Sequence, residues 1–167
     1  NSNGTVSRCG HMINAPQFDT LEEMESSTWL TKTREKMCNG EWPPECLRCQ
    51  KIESQAPASI RIHALALNER TERQDYLQVG GILDNVCNAA CLSCNETLST
   101  RIGSLNGRVF PVYNNLDRFY QLPQDRIVHL DINGGEPSYS KNYKKLLNNL
   151  PPNLKTLRLN TNCSTVL

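Results

Sequence analysis

The chain has 167 residues, of which 38% are hydrophobic and 21% charged, so it can bury a core and is not expected to be disordered throughout. Its 18 basic and 17 acidic residues leave a net charge of +1, without the strong positive field of a dedicated nucleic-acid binder. No apolar run approaches the roughly 20 residues of a membrane-spanning helix, and no charged-then-apolar secretory leader opens the chain. We therefore expect a cytoplasmic protein that binds neither nucleic acid nor a membrane.

The first part of the chain, residues 1–72, predicts a small, irregular, helix-leaning unit. Residues 21–24 suit one helical turn, and a longer helix over residues 28–36 is expected to have Thr28 as its N-cap. The proline pair 43–44 breaks the chain and presets the first turn of a further helix. Residues 60–67 have mixed periodicity and receive no assignment.

The second part, residues 73–167, alternates strands with helices. Apolar runs predict strands at residues 77–83, 127–132 and 156–160, and helices are predicted at residues 96–105 and 140–150. The second helix is expected to be capped by Ser140 and to have one apolar face, formed by Tyr143, Leu146, Leu147 and Leu150. This alternation predicts an α/β fold with parallel strands and right-handed crossovers.

Three parallel strands cannot close a barrel, and they leave an unpaired edge. We therefore expect residues 73–167 to be the first part of a larger unit, cut short at Leu167, with further strand–helix units to follow. The chain begins with Asn1 rather than Met, so its start is expected to be processed or missing.

Eight cysteines are unusual for a chain of this length, and their spacing is uneven. Cys87, Cys91 and Cys94 lie within eight residues, and Cys46 and Cys49 within four. Tight groups of this kind bring several thiolates to one metal, whereas disulfide frameworks usually spread their cysteines to close loops. We favour metal binding in a reducing compartment, with disulfides as the alternative.

The Cys-x3-Cys-x2-Cys group, Cys87, Cys91 and Cys94, directly follows the first predicted strand. Three thiolates can hold three irons of a 4Fe–4S cluster and leave the fourth iron without a protein ligand. An open coordination position is what metal-assisted chemistry requires. A zinc knuckle is the alternative for the same spacing.

Two polar turns follow the second and third predicted strands. In Gly134-Gly135-Glu136-Pro137, the glycines allow close approach of a ligand, Glu136 can accept a hydrogen bond from an ammonium group, and Pro137 stiffens the turn. Asn160-Thr161-Asn162 ends the third strand. Parallel α/β folds place their ligands at the carboxyl ends of their strands, where all three motifs are expected to meet.

Together these motifs resemble those of the radical S-adenosylmethionine enzymes. The resemblance implies a partial (β/α) TIM-like barrel, of which this chain holds the first three parallel strands. It also implies that Cys87, Cys91 and Cys94 ligate a catalytic 4Fe–4S cluster. S-adenosylmethionine would bind at this cluster with the help of five residues: Gly134, Gly135, Glu136, Pro137 and Asn160.

The family resemblance also implies an activity and its partners. Reductive cleavage of S-adenosylmethionine would give a 5′-deoxyadenosyl radical that removes hydrogen from a substrate, for which a peptide or protein is the expected class. A reductant such as flavodoxin or ferredoxin would supply the electron. Two positions depart from the family pattern: Asn162 takes the place of glycine in the Thr-Asn-Gly signature, and Ser93 takes the place of an aromatic residue that contacts adenine.

The segment from Glu41 to Cys49 resembles the twitch or SPASM-type cysteine segment that some radical S-adenosylmethionine enzymes use to bind an auxiliary iron–sulfur cluster. The resemblance implies Cys9, Cys46 and Cys49 as ligands and Cys38 as a candidate fourth. Alternatively, Cys38 is a small buried apolar residue. Two other readings remain: a zinc-binding structural or interaction module, and a catalytically inactive iron–sulfur fragment.

Overall fold

The computed structural model describes residues 3–68, 75–108 and 110–164 of the chain. The chain divides into two compact units, one comprising Thr5–Gln74 and the other Asp75–Leu167 together with Asn1–Gly4. The predicted boundary between residues 72 and 73 lies outside the described residues.

The first unit is helical in its described part. It holds α1 Leu21–Ser26, α2 Thr28–Cys38, α3 Leu47–Glu53 and α4 Ile60–Asn68, with a 3₁₀ turn at Pro44–Cys46 before α3. The N-cap of α2 is Ser27 rather than the predicted Thr28, because the Ser27 side chain accepts a hydrogen bond from the Leu30 N–H. Pro44 opens the 3₁₀ turn, where its missing N–H costs nothing.

The second unit contains the sheet. Its strands are β1 Leu77–Ile82, β2 Ile127–Asn133 and β3 Thr156–Leu159, and its helices are α5 Thr100–Leu105, α6 Leu116–Tyr120 and α7 Lys141–Asn148. The described strands lie in the order β1-β2-β3, and both pairings are parallel. The prediction of an α/β fold with a parallel sheet is confirmed.

The central strand, β2, forms the middle of the core. Leu130 pairs with Val79 of β1 on one side and with Leu157 of β3 on the other. The apolar residues of β2 are all buried: Ile127, Val128, Leu130 and Ile132. One hydrophobic cluster joins β2 to Tyr143 and Leu146 of α7, both of which are 0% exposed.

Two helix predictions need correction. The helix predicted at residues 96–105 begins only at Thr100, because the Asn95 side chain accepts hydrogen bonds from the backbone N–H groups of Thr97 and Leu98 and forms a turn there. The helix predicted to reach Leu150 stops short of that residue, whose exposure is 41%. α7 ends at Asn148, because a residue that precedes proline, as Leu150 does, avoids the helical conformation.

None of the helices in the described ranges combines the length and apolar character needed to cross a membrane.

Candidate functional site

The glycine turn after β2 lies directly against the start of the cysteine loop. The Glu136 N–H donates to the Val86 carbonyl at 2.8 Å, and the Gly135 N–H donates to the Leu98 carbonyl at 2.9 Å. Gly135 has a φ of 62°, and a Cβ there would lie 2.5 Å from Asp84 Oδ1 and 2.9 Å from the Val86 carbonyl oxygen. Only glycine therefore fits this position without moving the loop that leads to Cys87.

The start of α5 fixes the first cysteine. Thr100 Oγ1 accepts a hydrogen bond from the Cys87 N–H at 3.1 Å and donates to the Cys87 carbonyl at 3.3 Å. Ser99, the N-cap of α5, donates its hydroxyl hydrogen to the Ala89 carbonyl at 3.0 Å. The loop backbone is thus held by side chains that follow the last cysteine of the group.

The thiols of the cysteine loop lie near one another. Cys87 and Cys94 are partly buried, and Cys91 is exposed. Burial raises the pKa of the Cys94 thiol, and the neighbouring Cys87 and Cys91 thiols raise it further. Mutual repulsion of thiolates is what a bound cation relieves, so these three cysteines are the candidate donors of the second unit.

Asp84 is a buried carboxylate at the end of β1 that the sequence pattern did not single out. It is 0% exposed and accepts hydrogen bonds from the Ser140 hydroxyl, from Asn142 Nδ2 at 3.0 Å and from the Val86 N–H at 3.1 Å. Burial raises the pKa of Asp84, against the effect of these hydrogen bonds. Asp84 therefore joins the end of β1 to the start of α7. In the sequence, the signal that could have identified Asp84 is its position as a polar residue directly after an apolar strand.

Asn85, the next residue, is also buried and hydrogen-bonded to distant parts of the chain. It is 0% exposed; its Nδ2 donates to the Pro111 carbonyl at 3.0 Å, and its Oδ1 accepts from the Tyr113 N–H at 3.0 Å. Its carbonyl accepts from the Thr100 N–H at 2.9 Å. The residue just before the cysteine loop is thus anchored through both its side chain and its backbone.

Glu136 is 2% exposed, and its carboxylate reaches the loop after β3. Oε1 accepts from the Ser138 N–H at 3.0 Å, the Ser138 hydroxyl at 2.6 Å and the Thr161 hydroxyl at 2.5 Å, and Oε2 accepts from the Asn162 N–H at 2.7 Å. Burial acts to raise the pKa of Glu136, but these hydrogen bonds lower it overall, which keeps the carboxylate ionised. Within the described residues Oε2 accepts one hydrogen bond, from the Asn162 N–H.

Buried or paired side chains also hold the other residues at the ends of β2 and β3. The Tyr143 hydroxyl donates to the Gly134 carbonyl at 2.7 Å and to the Asn133 carbonyl at 3.1 Å. Pro137 is fully buried. Asn160 is exposed, and its Nδ2 donates to Asn133 Oδ1, which ties the ends of β2 and β3 together.

The loop after β3 also contacts the cysteine loop. Asn162 Nδ2 donates to Asn88 Oδ1 at 3.0 Å, and Asn88 Nδ2 donates to the Ser164 hydroxyl at 2.9 Å. Cys163, between them, has a φ of 53°, in the left-handed region that favours glycine. The family signature has its glycine one residue earlier, at the position of Asn162.

In the first unit, the chain after Cys9 contacts the segment that carries Cys46 and Cys49. The Ile13 N–H donates to the Glu45 carbonyl at 2.9 Å, which joins the chain after Cys9 to the residue before Cys46. Burial raises the pKa of the Cys46 thiol, and the neighbouring Cys49 and Cys9 thiols raise it further. These three cysteines are the candidate donors of the first unit.

Cys38 differs from these three cysteines. It is the last residue of α2 and is exposed, so the alternative that it is a buried apolar residue is wrong. All eight cysteines are free thiols in the structure. Ser93, in the cysteine loop, is exposed as well.

Within residues 3–68, 75–108 and 110–164, no group of three or more His, Cys, Asp or Glu side chains is arranged to hold a metal ion. Comparison of the chain with protein-family models, with curated proteins and with solved structures gives no significant match. Arguments about function therefore depend on the geometry of the three strand ends and of the two cysteine groups.

Proposed function

We propose that the chain is part of a radical S-adenosylmethionine enzyme, with its catalytic site at the carboxyl ends of β1, β2 and β3. The observation that carries the proposal is the hydrogen bond from the Glu136 N–H to the Val86 carbonyl, 2.8 Å long, one residue before Cys87. It brings the glycine turn to the cysteine loop, although about fifty residues separate them in sequence.

The three cysteines of the loop, Cys87, Cys91 and Cys94, would hold a 4Fe–4S cluster with one open iron. Such a cluster supplies, when bound, the electron for reductive cleavage of S-adenosylmethionine. The reductant, flavodoxin or ferredoxin, and the peptide or protein substrate rest on the family resemblance.

The residues of this chain would bind and orient S-adenosylmethionine. Gly135 lets the turn pack directly against Asp84 and Val86, because a Cβ there would clash with both residues. Glu136 would offer Oε2 to the ammonium of the methionyl group. Thr100 and Ser99 hold the cysteine loop in place from the start of α5. Preorganisation of this kind reduces the cost of orienting the ligand.

The sheet is consistent with the first part of a (β/α) barrel. Its strands follow one another in space in the order of the sequence, and each pair is parallel, as in consecutive units of such a barrel. We propose this origin for the second unit.

For the first unit we propose an auxiliary iron–sulfur cluster on Cys9, Cys46 and Cys49. The hydrogen bond from the Ile13 N–H to the Glu45 carbonyl supports it, because it joins the chain after Cys9 to the residue before Cys46. Cys38, exposed at the end of α2, is the candidate fourth ligand.

The test is to count iron and sulfide per chain after anaerobic reconstitution. Replacing Cys87, Cys91 and Cys94 together by alanine should remove about four irons and leave those of the first unit. The complementary variant, with Cys9, Cys46 and Cys49 replaced, should lose the remainder, and Cys163→Ala is the matched control that should lose none.

Unchanged iron in the first triple variant would contradict the catalytic assignment. A colourless wild-type protein that binds zinc without sulfide would favour a zinc-binding structural or interaction module. Release of 5′-deoxyadenosine from S-adenosylmethionine and dithionite would separate an active enzyme from an inactive iron–sulfur fragment.

A further inference from the structure

Asn162, in the loop after β3, has a hydrogen-bond partner for its backbone N–H and for both polar atoms of its side chain. Its N–H donates to Glu136 Oε2 at 2.7 Å, and its Nδ2 donates to Asn88 Oδ1 at 3.0 Å. Its Oδ1 accepts from the Ser164 N–H at 2.8 Å. One residue therefore contacts the glycine turn and the cysteine loop at the same time.

Asn88 is held at both ends of its own amide group. Its Oδ1 accepts from Asn162, and its Nδ2 donates to the Ser164 hydroxyl at 2.9 Å. Two hydrogen bonds on one planar amide fix its orientation as well as its distance. Since Asn88 directly follows Cys87, this contact acts on the backbone of the cysteine loop.

The path through Asn162 fixes a side chain that the backbone contact does not fix. The hydrogen bond from the Glu136 N–H to the Val86 carbonyl places the main chain of the glycine turn, but the carboxylate lies beyond further rotatable bonds. The Asn162 N–H holds that carboxylate at Oε2, and the Asn162 side chain extends the link to Asn88, 74 residues away in sequence. The carboxylate and the cysteine loop are thus joined through one residue.

We propose that Asn162 is a positioning residue, which sets the Glu136 carboxylate relative to the cysteine loop and so raises the affinity of the site for S-adenosylmethionine. This inference rests on the proposed function and deepens it. A ligand that contacts the carboxylate and the cysteine-held cluster together binds more tightly when the two are held at the correct separation before it arrives. Asn162 acts through Glu136 and Asn88.

The first measurement tests the link itself, by NMR of the side-chain amides in the full chain without metal. Asn88→Ala should shift the side-chain amide signal of Asn162 toward the position of solvent-exposed asparagines, and Asn162→Ala should shift that of Asn88 in the same way. Asn153→Ala is the matched control and should shift neither, because Asn153 is an exposed asparagine of the same unit that donates to the Asp125 carbonyl.

The second measurement is the Kd of S-adenosylmethionine for the reconstituted full chain, by anaerobic equilibrium dialysis. Asn88→Ala and Asn162→Ala should each raise the Kd about 3- to 10-fold, the effect expected for one or two hydrogen bonds. Iron per chain and the EPR spectrum of the reduced cluster without ligand should match the wild type, and Asn153→Ala should change the Kd less than about twofold.

The double variant separates a shared role from two independent ones. If Asn88 and Asn162 act through the contact between them, replacing both by alanine should raise the Kd about as far as the larger single change does. Two effects that multiply would overturn the inference, and so would amide signals that do not shift in the chain without metal. A loss of iron in step with the loss of affinity would overturn it in favour of a general structural role.

The outcomes also distinguish this inference from the proposed function. If iron persists when Cys87, Cys91 and Cys94 are replaced, or if the cluster-loaded wild type binds no S-adenosylmethionine, the proposed function is wrong, and the role of Asn162 with it. If the wild type binds S-adenosylmethionine but Asn88→Ala and Asn162→Ala bind it as tightly, the role of Asn162 alone is overturned.

Discussion

Cys163 has a backbone conformation that L-residues with a side chain rarely adopt. Its φ of 53° lies in the left-handed region, where the Cβ crowds the carbonyl oxygen. Cys163→Gly should therefore raise the free energy of unfolding by up to about 1 kcal/mol, measured by urea denaturation, with the greater chain entropy of glycine offsetting part of the gain.

A β-branched residue at the same position should have the opposite effect, so Cys163→Val is expected to lower the free energy of unfolding. Asn14, with a φ of 56°, is the matched control. Since asparagine tolerates this conformation well, Asn14→Gly should change stability less than Cys163→Gly does. A destabilising Cys163→Gly would contradict the argument.

Glu136 should make the stability of the protein depend on acid pH. Burial raises its pKa, but its hydrogen bonds with Asn162, Ser138 and Thr161 lower it below the ordinary 4.5. A carboxylate with a lowered pKa in the folded state stabilises fully above its ordinary pKa, and this contribution disappears as the pH falls through the lowered value. Urea denaturation between pH 6 and pH 3 should therefore show a steeper loss of stability in the wild type than in Glu136→Gln.

Thr161→Val provides the graded control for that measurement. It removes one of the donors to Glu136 Oε1 and should bring the pKa of Glu136 part of the way back toward its ordinary value. Its pH profile should lie between those of the wild type and Glu136→Gln. Identical profiles for all three proteins would show that the Glu136 carboxylate is not held as described.

The spacing of the cysteines and the glycine turn could be seen in the sequence, but the residues that support them could not. Asp84 and Asn85 are fully buried because hydrogen bonds from distant parts of the chain compensate for their burial. Partners such as Asn142 and Tyr113 become neighbours only after folding. The sequence predicts candidate ligands better than it predicts what positions them.

Ser140 is the N-cap of α7 and also donates a hydrogen bond to buried Asp84. Ser140→Ala should cost about 2–3 kcal/mol, because the loss of a cap is joined by the loss of a donor to a buried carboxylate. Ser27→Ala, at the N-cap of α2, should cost only about 1 kcal/mol. Thermal or urea unfolding of both variants checks the difference, and equal losses would contradict it.

The helices show where sequence patterns are sufficient. α7 has a clear cap and an apolar face, and its start was predicted to the residue. α4 covers residues of mixed periodicity and received no assignment. The start of α5 was misplaced because Asn95 forms a local turn, and competition of this kind depends on a side-chain conformation that periodicity does not encode.

For the molecule as a whole, alternating strands and helices predicted the parallel sheet, because short alternating elements connect in few ways. The two cysteine groups lie in different compact units, with Cys46 in Thr5–Gln74 and Cys87 in Asp75–Leu167. Each unit therefore supplies its proposed metal site from its own residues. Sequence spacing separates the two groups, whereas the assignment of Cys9 to the group of Cys46 and Cys49 rests on the family resemblance.

The bond between the Glu136 amide and the Val86 carbonyl has a consequence for motion. Neither the glycine turn nor the start of the cysteine loop can move away without breaking this hydrogen bond. Asn162 is hydrogen-bonded to both segments, to Glu136 in the turn and to Asn88 in the loop. Solvent deuterium should thus enter the amides of Glu136 and Asn162 in a single correlated event rather than one at a time.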